Sequence, residues 1–186
     1  HFIESGWSQK DLIRTIVMSE AYRRSSRHRP ALASIDPSNK LLYRQNRFRV
    51  PAEIVRDLSL AVSGLMTDRI GGPSVFPPMP PSMTEVAFAS RFKWKTDEGA
   101  DRYRRGMYTF FKRTAPHPNL TVFDMPDSNS MCLERNISNT PLQALTTLNN
   151  KVFVEAAQAL SRRIVRRDGN AAERIGWAYR LCATRP

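Results

Sequence analysis

Five prolines, Pro73, Pro77, Pro78, Pro80 and Pro81, fall within one short stretch of the chain. Proline has no amide hydrogen and a locked φ, so the stretch excludes both a regular helix and a central strand. The irregular character runs on to about residue 100, and a loop of that length is uncommon inside a compact domain unless it is functional or mobile. Phe76, Phe88, Phe92 and Trp94 stud it. Those aromatics either line a groove for a sugar or staple the loop to a core, and the staple is the simpler reading. Such a chain must draw its core from helices on either side of the insert. The predicted class is all-α, an irregular helical domain with long Pro-rich and Arg-rich loops.

The helices are read from apolar spacing and caps. Ser8-Gln9-Lys10-Asp11 has the form of a capping box, with Asp for Glu, ahead of Leu12, Ile13, Ile16 and Val17; it predicts a helix over 8–23. Asp36-Pro37-Ser38-Asn39-Lys40 starts a short helical segment reaching Gln45. Pro51 suits a first turn, and Ile54, Val55, Leu58, Ala61, Val62 and Leu65 recur at three and four, giving a helix over 51–67 stopped by Gly71-Gly72-Pro73. Residues 101–114 alternate without a clean face, and a short helix is preferred to a strand. Residues 119–138 read as loop, with an extended piece at Leu120–Phe123. Thr140 as N-cap, Pro141 at the first helical position and Gln143 closing the box begin a long helix over 140–167. Its stripe holds Leu142, Leu145, Val152, Phe153, Ala156 and Leu160, with Asn149 in the middle, so Asn149 is expected buried and hydrogen-bonded. Gly169 is the left-handed stop, and a last helix starts near Ala171. The helices over 8–23, 51–67 and 140–167 are expected to bury their stripes against one another.

The sequence has 186 residues, 41% hydrophobic and 25% charged, which suits one globular domain or a large part of one and argues against a disordered chain. No apolar run approaches the roughly 20 residues that span a bilayer. His1-Phe2-Ile3 carries neither an initiator Met nor a signal peptide, and Cys182–Pro186 stops without a terminal element. Both ends therefore read as cuts through a larger multidomain protein.

Net charge is +12, and 23 of the 29 basic residues are arginine. Arginine offers a planar fork matched to carboxylate, sulfate or phosphate. The bland reading pairs these arginines with the 17 acids or with other domains; the sharper one makes a polyanion-binding face. Arg23-Arg24 to Arg29, just past the first helix, is either an anion clamp or a set of cations at a helix C-terminus, and the second is favoured. Cys132 and Cys182 form no CxxC or CxxCH, and two unpaired buried thiols are favoured over one disulfide. His1, His28 and His117 are scattered, with no zinc-site spacing. No GxGxxG, P-loop or GxSxG motif is present.

Three carboxylates are candidates for catalysis. Glu53 and Asp57, four apart on a helix and opposite its apolar stripe, repel one another unless something basic sits beside them. They make either an acid pair for general acid/base work or a structural network with Arg47, Arg49, Arg56, Arg104 or Arg105, and the network is favoured. Asp124, with Asp127 flanking Pro126, is either an active-site rim or part of an ion-pair lattice fixing a loop. Arg104, Arg105, Arg113 and Arg135 flank the irregular loops where sites are usually built and are the candidate ligand-binding residues.

Asp36-Pro-x-Asn39, Arg47-x-Arg49, Glu53-x-x-Arg56-Asp57, Gly71-Gly72-Pro73, Arg104-Arg105-x-x-Tyr108, Phe123-Asp124-x-Pro126 and Asn139-Thr140-Pro141-Leu142-Gln143-Ala144-Leu145 follow one another along nearly the whole chain. In that order they resemble the planctomycete-type family known as domain of unknown function 1553. The resemblance implies a C-terminal domain of large exported bacterial proteins, located outside the cytoplasm and often accompanied by a cytochrome c-like domain. Haem would then sit on a neighbouring domain, with no cofactor in this segment. The family transfers no catalytic residues; its proteins are associated with breakdown of complex, often sulfated, polysaccharides.

Three functions follow. The first is a module that binds anionic polysaccharide beside the other domains of its chain. The second is a carbohydrate-active hydrolase using Glu53 and Asp57, or Asp124. The third, nucleic-acid binding, rests on basicity alone and ranks last, since the basic residues are dispersed and no nucleic-acid fold signature is present.

Overall fold

The structure, a computed structural model, describes residues 1–80 and 93–184. Pro81, Phe88 and Phe92 lie outside the described residues. The chain divides into two compact units, His1–Arg49 and Val50–Pro186. Among the described residues it is all-α, with no strand; the only pairing of strand type is two single bridges, Thr67 with Arg104 and Val75 with Thr109.

In the first unit, α1 (Gln9–Met18) starts as expected, with the Ser8 hydroxyl accepting the Asp11 amide. It stops at Ser19 rather than near 23 and buries none of its residues, so its apolar stripe makes no core contribution. Arg23–Arg29 therefore lies beyond the last turn of α1, and the helix-terminus reading of those cations does not hold; Arg24 instead donates to the Leu42 carbonyl at 2.6 Å. A short α2 (Pro30–Ala33) opens on a proline, which presets the φ of its first turn. The 36–45 segment is a set of turns, not a helix. The buried Asp36 carboxylate accepts the Lys40 and Leu41 amides, and Asn39, at φ 53°, bonds Arg44 and Asn46. Side chains that satisfy backbone groups locally compete with helix formation in this way.

In the second unit, α3 (Ala52–Ser63) ends eight residues before the predicted glycine pair, because Gly64 takes the left-handed cap at φ 76°. Its phase also differs from the predicted one. The buried face is Ala52, Arg56, Asp57, Leu60 and Ser63, whereas Leu58 is exposed. Asp57 thus points inward, not away from the core. The reason is tertiary: the 102–106 segment supplies partners for Arg56 and Asp57 on that side.

That segment is neither strand nor α-helix but two 3₁₀ turns, Gly99–Tyr103 and Gly106–Tyr108. The Pro116-His117-Pro118 stretch begins α4 (Pro118–Val122), where an extended piece was expected; Pro118 supplies the preset φ of a first turn and the His117 ring accepts the Asn119 amide. Thr140 and Gln143 form the predicted reciprocal cap of α5 (Pro141–Asn149). The long helix then breaks. Asn150 has extended ψ 135°, caps α6 (Lys151–Val165) by accepting the Val152 amide, and exchanges two amide hydrogen bonds with Asn119 at 3.1 and 2.8 Å. The break resets the helix phase. Val152, Phe153, Ala156 and Ala159 go inward, while Leu142 and Leu145 are 56% exposed. Asn149 is exposed, contrary to expectation, and its amide merely turns back to the Leu145 carbonyl. Asn170 and Glu173 form a further capping box on α7 (Ala171–Ala183).

The core lies between α3 and α6, where Leu60, Val152 and Phe153 meet Val55, Leu65, Met66, Tyr103 and Phe123. A second cluster holds the proline-rich loop. Phe76 stacks on Phe110 at 4.9 Å, Trp94 packs edge-on to Phe76 and lies 5.5 Å from the His117 ring, and the Trp94 indole donates to the Pro77 carbonyl. Phe76 and Trp94 are staples.

His117 is buried in this cluster with its Nε2 at 3.1 Å from the Pro78 carbonyl and its Nδ1 facing the Asn119 amide. Nδ1 accepts, so Nε2 carries the proton and the ring is neutral. Burial pushes its pKa down to about 4, although the Pro78 carbonyl favours the protonated ring. Below its ordinary pKa of about 6.5 the unfolded chain takes up a proton that the folded chain refuses. Stability should be full above pH 6.5 and fall as the pH drops towards 4, by about 3 kcal/mol in all. Urea titrations across that window check it, and His117→Gln should remove this contribution to the slope.

Candidate functional site

The candidate carboxylates and arginines divide between two knots of polar contacts. The first is built on Arg104-Arg105-Gly106. Arg104 has no solvent exposure; its Nη1 donates to the Pro73 carbonyl at 2.9 Å, and its Nη2 to the carbonyls of Arg69 and Gly71. Its guanidinium carbon lies 3.8 Å over the Tyr108 ring centroid, a cation–π contact, and the Tyr108 hydroxyl accepts the Gly71 amide. The Gly71-Gly72-Pro73 motif wraps this side chain, with both glycines at positive φ. Arg104 is thus spent inside the fold, not offered to a ligand.

Arg105 Nε donates to Asp57 Oδ2 at 3.2 Å, and the Gly106 amide donates to Asp57 Oδ1 at 2.6 Å. A Cβ on Gly106 would stand 2.7 Å from the Glu53 carbonyl oxygen, so the backbones of α3 and the 106 turn meet where only glycine fits. Glu53 reaches the other way, into a two-bonded fork from Arg135 at 2.8 and 3.1 Å. Burial pushes the Glu53 carboxyl up, but the Arg135 hydrogen bonds and charge outweigh it and hold the group below its usual range. Arg56 is buried beside them, with Nη2 donating to the Arg102 carbonyl. Burial pushes its pKa down to about 10, opposed by the neighbouring Asp57. Arg102 in turn pairs with Glu155 of α6. The contacts of Glu53 and Asp57 are those of the structural network the spacing favoured, with Arg135 and Arg105 as partners.

The second knot is Asp124, at left-handed φ 64°. Its carboxylate accepts the Ser138 amide and hydroxyl at 2.8 Å, and the buried Gln143 amide donates to Asp124, to Ser138 Oγ and to the Val122 carbonyl. Asp124 therefore anchors the entry to α5 and accounts for the Ser138 to Gln143 motif. Asp127 turns to the Asn129 amide in its own loop. Arg113 is exposed and makes no ion pair among the described residues.

One basic cluster was missed. Arg162 and Arg163 on the last turn of α6, with Arg166 and Arg167 just past it, line a cleft of about 900 Å³ together with Trp177 of α7 and Ser63–Leu65 at the end of α3. The spacing i, i+1, i+4, i+5 is visible in the sequence, where it marks only the end of a helix. Among the described residues no group of three His, Cys, Asp or Glu side chains is gathered where it could hold a metal. No helix there is long and apolar enough to cross a membrane.

The PSD1 family model, described as a protein of unknown function (DUF1553), matches residues 1–186. The chain belongs to that family. No curated protein and no solved structure matches it.

The two arginines in sequence should behave differently. Arg104→Ala takes the donor from three carbonyls of the 69–73 loop and opens a cavity where a fully buried side chain stood, so a loss of about 3–5 kcal/mol is expected. Arg105→Ala removes a half-exposed ion pair, and a loss of about 0–1 kcal/mol is expected. Chemical denaturation of both single variants tests the contrast; equal effects would show that the buried fork is not the anchor.

Proposed function

We propose that residues 1–186 form a binding module, not a hydrolase, in a larger protein that acts outside the cytoplasm, and that its ligand is an anionic polysaccharide. The observation that carries the reading is the unequal fate of the charges. Glu53, Asp57 and Asp124 are each committed to hydrogen bonds that hold the fold. Of 23 arginines, four form ion pairs among the described residues: Arg69, Arg102, Arg105 and Arg135. The three candidate carboxylates are used internally, while most guanidiniums make no ion pair among the described residues, which favours attraction of anions over acid/base chemistry at those carboxylates. Export, neighbouring domains and a haem on one of those domains follow from the family resemblance of the motifs. Cys132 and Cys182 are free but exposed rather than buried as expected, and neither lies in a CxxCH, so haem attachment would have to fall elsewhere.

The direct test is incubation of the chain with a sulfated polysaccharide, following both binding and release of reducing ends. Binding that weakens as salt rises, with no new reducing ends, is expected, because exposed charges are screened beyond about 8 Å near physiological ionic strength. Release of reducing ends that disappears in Glu53→Gln or Asp124→Asn would make the domain a hydrolase. Equal or tighter binding of single-stranded DNA would favour a nucleic-acid module.

A further inference from the structure

The cleft at the end of α6 has three properties that ordinary surface arginines lack. The first is uncompensated repulsion. Arg162 and Arg166, the latter the C-cap in helical backbone conformation, are a like-charged pair four residues apart, and such pairs destabilise a helix; Arg163 and Arg167 add two more cations at the same end. The helix dipole favours cations in a last turn, yet one or two would satisfy it, and four crowd it. None of the four has a carboxylate within ion-pair distance among the described residues; Asp168 is the one acid on the cleft wall.

The second is fixed geometry. The guanidiniums of Arg163 and Arg167 lie 5.3 and 4.8 Å from the Trp177 ring centroid, and Arg163 Nη1 also donates to the Val62 carbonyl at 2.8 Å. Two long side chains are therefore held before any ligand arrives, which lowers the entropic cost of binding. All four arginines stand exposed. The third is size. About 900 Å³ is at the upper end of small-molecule sites, and beside the arginines its wall holds the half-buried Trp177 and the edge of the core at Leu65 and Ala159.

We infer that Arg162, Arg163, Arg166 and Arg167, with Trp177, form the binding site for an oligosaccharide carrying at least two sulfate or carboxylate groups. Arg162 and Arg163 lie on the last turn of α6 and Arg166 and Arg167 just past its end, so a ligand with two oxyanions can meet both pairs where a single anion meets one. The inference rests on the binding-module reading and gives it an address, away from Arg104, Arg105 and Arg135.

The test compares the full chain with Arg162→Gln/Arg166→Gln, which leaves the Trp177 and Val62 contacts untouched. A matched control, Arg47→Gln/Arg113→Gln, removes the same charge elsewhere. Titration calorimetry at low salt uses a heparin tetrasaccharide, its desulfated counterpart and a short single-stranded DNA. The cleft variant should bind the sulfated probe at least about tenfold more weakly, through loss of charge-assisted bonds. It should also melt at a slightly higher temperature when unliganded, because two sources of repulsion are gone. A role in stability alone would not give that opposite pair of changes. If the control loses binding and the cleft variant keeps it, the site lies elsewhere while the module reading survives. If the unaltered chain binds no sulfated sugar, both readings fall. Equal affinity for the desulfated probe or for DNA would overturn the ligand class.

Discussion

A guanidinium with no solvent exposure and no carboxylate in ion-pair contact organises the second unit. Removing a cation from water costs several kcal/mol, and only a dense set of acceptors offsets it. Arg104 finds them in three carbonyls of the 69–73 loop and the face of Tyr108. Those acceptors converge only if Gly71 and Gly72 turn through positive φ, so burying the charge and folding the loop are one event. The adjacent residues extend the constraint. Gly106 allows backbone contact with α3, and Asp57 accepts from both Gly106 and Arg105. A run of three residues thereby fixes the irregular 99–110 segment, the glycine turn and the register of α3.

This is also why the phase of α3 was not legible. The apolar spacing from Ile54 to Leu65 is real, but a helix turns toward whatever satisfies its costliest groups. Arg56 and Asp57 have partners 46 to 49 residues away in sequence, at Arg102, Arg105 and Gly106. Local features were legible where their causes were local. The caps at Ser8 and at Thr140 with Gln143, and the start of α7, lie within a few residues of their partners. The continuous helix over 140–167 failed for the opposite reason. Nothing near Asn150 announces Asn119, 31 residues earlier, yet that amide pair accompanies the break that sends Leu142 and Leu145 outward.

The candidate site shows the same division. The sequence motif around Ser138 and Asp124 is conspicuous, and its geometry explains it as an anchor for α5. The α6 arginines carry no motif at all. Their meaning depends on Trp177 packing against them from the next helix and on the end of α3 closing the cleft. A motif of polar residues marks where the chain needs internal partners. A site that faces solvent needs only charge and shape, which several spacings supply.

Arginine's excess over lysine therefore has two separate causes. Inside, a cation must keep its charge despite burial. Arg56 is pushed to about 10 and stays protonated at neutral pH, whereas a lysine starting near 10.4 and pushed as far would reach about 8 and lose part of its charge. A lysine would also lack the fork that lets Arg104 reach three carbonyls. Arginine content alone is thus no evidence of a ligand, because part of it is structural. The arginines that bear on function are those whose forks remain after the internal contacts are subtracted. At the end of α6 such forks stand together without an acid in contact, on a helix they destabilise, and an anion is what that arrangement lacks.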